Sequence, residues 1–152
     1  MSNLPIQGPS INARIIGIER NLVVLKKFAQ LSEEEFARDE IQDRAQHLLR
    51  LTVEGMLNIA SHLISRFPGG RETQYKNIMA KLADIGIFDR AFVEETLVPI
   101  AGYRNRLTHL YAQVTSNELR GILQRELGDI EKFLDGIKLL MQDPAKFGLT
   151  VA

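Results

Sequence analysis

The chain reads as an all-α protein, an antiparallel bundle of four to five helices, and three observations predict it. Apolar residues step by three and four through most of the 152 residues, the mark of helices with one buried side. The connections between these stretches are short and carry helix-stop chemistry, Pro68-Gly69-Gly70, Gly86 and Asp143-Pro144. No stretch alternates polar and apolar residues for long enough to build a sheet. Short connections make neighbouring helices antiparallel.

The first helix is expected from Ser10 to about Gln30, with Ile11, Ile15, Ile18, Leu22, Leu25 and Phe28 on its buried side. Ser32 and Glu35 have the spacing of a capping box and start a further turn. Asp39 is placed to cap the longest helix, Glu40 to Phe67, whose stripe is Leu49, Val53, Met56, Ala60, Leu63 and Phe67, widened by Leu57 and Ile64. A shorter helix spans Thr73 to Ile85, with Gly86 as its C-cap. Asp89 is placed to cap the next, which presents Phe92, Val93, Leu97 and Ile100. Pro99 lies inside it and is expected to kink or divide it. Thr115 and Glu118 fit a second capping box, ahead of a last helix reaching about Met141. The domain organisation expected is a flexible lead-in over residues 1–9, one helical domain over 10–143 and a tail over 144–152.

Composition removes several classes of function. There is no cysteine, which excludes disulfides, thiolate metal sites and cysteine nucleophiles. Nineteen basic and nineteen acidic residues balance to a formal net charge of zero, against a surface that is basic all over but not against a local basic cleft. No apolar run approaches a membrane span, and MSNLPIQGPS lacks the order of a signal peptide. A soluble, cytoplasmic protein with no membrane partner is expected. His47 and His62 lie fifteen positions apart on one helix, about 22 Å along its axis, too far to share an ion. His109 has no ligand near it in sequence, so no metal site is expected. Phosphate-binding loops and serine-nucleophile elbows are absent from the sequence.

One stretch concentrates polar chemistry. AGYRNRLTHLY, residues 101–111, holds Arg104, Asn105, Arg106, His109 and Tyr111 in a chain with three histidines and three tyrosines. Arginine grips a phosphate through two parallel hydrogen bonds and stabilises the charge of a pentacoordinate transition state. Histidine titrates near neutrality and serves as a general base towards a ribose 2′-OH. A solvated helix face carrying these residues by composition is the alternative. On a regular helix Arg104 and His109 are turned about 140° apart, so a break in the helix or a second subunit is needed for both to meet one phosphate. Glu54 interrupts an apolar stretch beside the buried stripe. It is either a boundary residue paired with an arginine or a partner that supports the later site from behind.

Arg104-Asn105, His109 and Tyr111 form an R-x4-H-x-Y pattern that resembles the motif of the HEPN superfamily, specifically its HepT-like toxin branch. LSEEEFARD, AQHLLRLTVEGMLNIASHLISRF, LADIGIF and IAGYRNRLTHLY extend the likeness over roughly residues 11 to 140. The resemblance implies a HEPN-type bundle that forms a homodimer, with the motif in a cleft between subunits, which would bring two histidines to one site. It implies a metal-independent ribonuclease toxin with no cofactor of its own, Arg104 on the scissile phosphate, His109 moving the proton, and Asn105 and Arg106 in support. The implied partner is an MNT-type nucleotidyltransferase antitoxin, which uses ATP and Mg²⁺ of its own to adenylylate Tyr111, placing charge and bulk where the RNA backbone would lie. The chain departs from the pattern at Leu110, where a small or acidic residue is usual, which bears on packing at the cleft and on docking of the partner. A reading of another class is a non-catalytic HEPN subunit that binds nucleotide or partner, and a third is a purely structural bundle.

Overall fold

Ile11, Ile15, Ile18, Leu22 and Leu25 are buried along one side of α1 (Gly8–Ala29) in the computed structural model, which describes residues 3–108 and 114–152. The helix starts slightly ahead of Ser10 because Pro9 occupies its first turn, where a missing N–H is not needed. A single turn, α2 (Glu33–Phe36), follows with its capping box complete. The Glu35 N–H donates to Ser32 Oγ at 3.1 Å, and the Glu35 carboxylate accepts from the Ser32 hydroxyl at 2.9 Å and its N–H at 3.4 Å. Those bonds hold the Glu35 carboxyl below its ordinary range. The turn delivers Phe36, which is fully buried, against α3 and α7.

The long helix α3 (Asp39–Ser65) buries the expected stripe from Leu49 to Leu63, with Leu57 and Ile64 beside it. Arg38, not Asp39, holds the cap position. Asp39 lies in the first turn, where its charge faces the positive end of the helix dipole. Phe67 falls just beyond the helix and is half-buried against the core. After the Pro68–Gly70 turn comes α4 (Tyr75–Ile85), closed by Gly86 at φ 93°, a left-handed cap that a side chain would strain.

Pro99 leaves its trace one turn upstream. Helix α5 (Arg90–Phe92), a π-turn (Val93–Leu97) and α6 (Val98–Thr108) follow one another without interruption. A proline offers no N–H to the turn before it, and here that turn is widened, with the Val98 N–H donating to the Val93 carbonyl five residues back. Asp89 holds the N-cap position of α5 without a side-chain capping bond.

Helix α7 (Ser116–Gln142) closes the bundle. Thr115 Oγ1 accepts from the Glu118 N–H at 3.1 Å, but the reciprocal half of the expected box is missing because the Glu118 carboxylate is engaged elsewhere. Helix α3 packs on α1, α4 and α6, while α7 lies mainly against α1. Among the described residues, Phe88 stacks on Phe133 of α7 with centroids 5.7 Å apart and meets Phe92 at 5.5 Å. None of the described helices is long and apolar enough to cross a membrane.

The segments expected as lead-in and tail extend the bundle past the anticipated limits of 10 and 143. Ile6 is fully buried, its N–H donates to the Thr150 carbonyl at 2.7 Å, and its carbonyl accepts from the Ala152 N–H at 2.8 Å. Leu149 joins the same core. The apolar side chains of Ile6 and Leu149 account for the packing, and the paired backbone satisfies the polar groups they carry inward. The Gln7 N–H then donates to His62 Nε2 at 3.1 Å, which requires that nitrogen unprotonated.

Burial first, then Arg66 and Arg14, hold the His62 pKa below its ordinary 6.5. The unfolded chain therefore takes the proton before the folded one does. The contribution of His62 to stability is full above pH 6.5 and falls as pH drops below it. Urea midpoints at pH 7.5 and 5.5 should move closer together in His62→Gln than in the native protein. An unchanged difference between the two pH values would show that the imidazole does not carry the effect.

Candidate active site

Ile100 and Ala101 seat the first turn of α6 in the core, and the helix presents two different faces from there. On the first, Arg104 leans over α3 and the start of α4. Its Nε lies 3.8 Å from Glu54 Oε1, and its guanidinium sits 4.4 Å above the Tyr75 ring. Arg104 and Glu54 are each 31% exposed, so water reaches the pair without surrounding it. The same Glu54 oxygen faces Arg50 Nη1 at 3.4 Å, and Arg50 Nη2 is 3.2 Å from His47 Nδ1. His47, Arg50, Glu54 and Asn58 are spaced by three and four, so one side of α3 carries them all. Glu54, Leu57, Asn58, Tyr75 and Arg104 line an open cavity of about 180 Å³.

On the second face, Tyr103 and Arg106 reach α7. The Tyr103 hydroxyl donates to Glu126 Oε2 at 2.6 Å, and burial, followed by that carboxylate, pushes its pKa well up. Arg106 makes a two-pronged pair with Glu118, Nη1 to Oε1 and Nη2 to Oε2 at 2.8 Å. The hydrogen bond from Arg106 holds the Glu118 carboxyl below its ordinary range. This is the contact that takes the Glu118 side chain away from the capping box at Thr115. Two residues apart on a helix are turned about 160° from each other, which is why Arg104 and Arg106 cannot share a side. Asn105 is exposed between them.

His109, Leu110 and Tyr111 lie outside the described residues. What brackets them is described: the Arg106–Glu118 pair ties the end of α6 to the first turn of α7 across residues 109–113. Of the residues singled out from sequence, the structure brings Glu54 and Arg104 together and turns Arg106 to the far side. Sequence reading placed Arg50 beside Glu54, and missed Tyr75 and Asn58 around Arg104 and His47 behind Arg50. Asn58 and His47 had a signal, the three-and-four ladder on α3 through Arg50 and Glu54. Tyr75 had none, because its contact joins helices far apart in the chain.

Chemically, the arrangement presents one guanidinium at the rim of a polar cavity. Its Nε side faces a carboxylate and one of its planes lies on an aromatic ring. Among the described residues neither terminal nitrogen of Arg104 has a hydrogen-bond partner, and those nitrogens form the edge that grips phosphate.

A model of the ribonuclease HepT-like family matches residues 18–137. The chain belongs to that family. A curated HepT-like relative, the tRNA nuclease HepT of Aphanizomenon flos-aquae (strain 2012/KM1/D3), is 27% identical over 110 residues, 72% of this chain and 74% of the relative. The fold is similar to that of a toxin–antitoxin crystallised with AMP-PNP, with a TM-score of 0.78 and 20% identity, covering 87% of this chain and 99% of the other. It is also similar to a tri-AMPylated HEPN toxin of Shewanella oneidensis in complex with MNT antitoxin, with a TM-score of 0.76 and 23% identity, covering 86% and 97%. At these identities the two structures establish a shared helical-bundle fold. The family match includes the α3–α6 face and all of the R-x4-H-x-Y residues.

Proposed function

We propose that this HepT-like chain is the toxin of a toxin–antitoxin pair and acts as a metal-independent endoribonuclease, with tRNA or mRNA as substrate. The observation that carries the reading is Arg104, held at a polar cavity with its terminal nitrogens unpaired among the described residues, five positions before the motif histidine. The curated relative's name, a tRNA nuclease, supports the same chemistry. In this reading Arg104 binds the scissile phosphate and stabilises the charge that builds on it.

One His109 takes the proton from the ribose 2′-OH. The freed oxygen forms a bond to phosphorus as the bond to the 5′-oxygen breaks, and the His109 of a second copy returns a proton to that leaving oxygen. The products are a 2′,3′-cyclic phosphate and a 5′-hydroxyl. The homodimer this requires also resolves the 140° between Arg104 and His109 on a regular helix. Asn105, exposed on α6, contacts RNA, and Arg106 supports the site by tying α6 to α7 through Glu118. This chain supplies no metal and no cofactor to the reaction.

Neutralisation falls to an MNT-type nucleotidyltransferase that transfers AMP from ATP, with its own Mg²⁺, to the Tyr111 oxygen, which loses its proton and bonds to the α-phosphorus as pyrophosphate leaves. Support comes from the Shewanella structure, a HEPN toxin AMPylated and bound to MNT antitoxin. Bulk and negative charge on Tyr111 then exclude the RNA backbone.

The test uses purified protein shown to be unmodified by mass spectrometry, incubated with total tRNA in EDTA beside His109→Ala. Cleavage by the native protein alone, leaving cyclic-phosphate ends, is the expected result. Cleavage that needs added Mg²⁺ would overturn the metal-independent mechanism. Intact tRNA in every lane, and intact mRNA in a parallel incubation, together with tight binding of the nucleotidyltransferase, would move the assignment to a non-catalytic partner-binding subunit.

A further inference from the structure

We propose that Glu54 and Tyr75 are positioning residues for Arg104: together they hold its guanidinium by the Nε side and by one face, so that the terminal nitrogens stay aimed at the phosphate. The inference rests on the nuclease reading and extends it to two residues outside the motif.

Three observations converge on it. Glu54 Oε1 lies 3.8 Å from Arg104 Nε, and the guanidinium carbon is 4.4 Å from the centroid of Tyr75. These contacts come from different helices, α3 and α4, and from different directions, so between them they restrict both swing and tilt of the arginine. The same Glu54 oxygen also meets Arg50 at 3.4 Å, and Arg50 leans on His47, so the carboxylate is held by a chain of contacts along α3. An arginine side chain has considerable rotamer freedom, and fixing it before substrate arrives removes that cost from the bound state. The Tyr75 contribution is a ring face, which attracts a cation without using any of its N–H donors. The carboxylate meets Nε and leaves four N–H groups on the terminal nitrogens for a phosphate.

An opposite role for Glu54 is also chemically coherent. A carboxylate next to the phosphate-binding arginine could compete with RNA for it, and its removal would then strengthen binding. The two roles differ in sign. Positioning predicts that Glu54→Gln lowers kcat by about tenfold to a hundredfold with little change in KM, and that Tyr75→Leu does the same. Tyr75→Phe, which keeps the ring face, should stay near the native rate. Competition predicts that Glu54→Gln lowers KM and leaves or raises kcat, which would overturn the proposal. Loss in Tyr75→Phe equal to that in Tyr75→Leu would also overturn it, since the hydroxyl and not the ring would then matter.

Each variant is checked for folding by its thermal unfolding curve. A second readout does not depend on cleavage. The Arg104 guanidinium signals in ¹⁵N NMR of the intact protein should be resolved, with restricted rotation, in the native protein and in Tyr75→Phe, and averaged in Glu54→Gln and Tyr75→Leu. An averaged signal in the native protein would sink the cradle even where RNA is cut. Inactivity of the native protein with a sharp Arg104 signal would instead sink the nuclease reading and leave the cradle standing.

Discussion

Arg104→Ala is expected to lower the rate of RNA cleavage by about a hundredfold to a thousandfold, the usual effect of removing one donor aimed at transition-state charge. Arg104→Lys should recover little of it. A lysine keeps the charge but not the planar pair of N–H groups, and an ammonium lacks the flat face that lies on Tyr75. The fold should survive both changes. Glu54 keeps Arg50 as a counter-ion, and a partly exposed pair of this kind contributes at most about 1 kcal/mol. Initial rates on a short RNA, with cyclic-phosphate product counted directly, and an unfolding curve for each variant make the comparison. A fall in rate matched by a fall in stability would mean that Arg104 holds the bundle and not the phosphate.

The largest expected effect on stability comes from the other end of the bundle. Phe133 is fully buried on α7 and stacks on Phe88 at 5.7 Å. Phe133→Ala is expected to cost about 3–5 kcal/mol, the transfer free energy of the ring together with the cavity left behind. Against a total of roughly 5–15 kcal/mol for a domain of ordinary stability, that brings the variant close to unfolding at working temperature. The site has little freedom to collapse. Gly136, one turn on, lies so near the Phe88 ring that a Cβ there would come within 2.3 Å of it, which shows how closely this layer is packed. Urea unfolding of Phe133→Ala and Phe133→Leu measures the cost, and the leucine should recover more than half of it. A loss below 1 kcal/mol in the alanine variant would show that the helices close over the gap.

How far the sequence revealed the molecule depended on the range of the contact concerned. The stripes from Ile11 to Leu25 and from Leu49 to Leu63 are local patterns with helical period, and both are buried as their spacing required. The Ser32–Glu35 box is complete within four residues, and it forms. The box at Thr115 and Glu118 has the same spacing and forms by half, because Arg106 offers the carboxylate a charged partner from another helix. Proline chemistry located a disturbance near Pro99, but not its form, a widened turn ahead of the proline in a helix that is not divided. At the site, Arg104 and Glu54 were each conspicuous for their residue type. Their proximity, and the Tyr75 ring beneath the guanidinium, depend on how α3, α4 and α6 pack, which no local spacing encodes. Ile6 and Leu149 were obscured by their polar, proline- and glycine-containing surroundings, although their own side chains fill the core.

The π-turn at Val93–Leu97 bears on how tolerant this chain is of length changes. Each residue of an α-helix advances the side-chain bearing by about 100°, and a widened turn holds one residue more than an ordinary one. Arg104 comes seven positions after that turn ends, with α6 running on from it unbroken. A single-codon deletion inside residues 93–97 therefore removes the extra residue, lets the turn close to ordinary width and leaves the bearing of Arg104 towards Glu54 nearly unchanged. The same deletion in the regular stretch between Leu97 and Arg104 leaves every motif letter in place and swings the arginine by about 100°. The motif as written is thus an incomplete specification. Its meaning depends on a residue count upstream that no pattern of conserved letters would register.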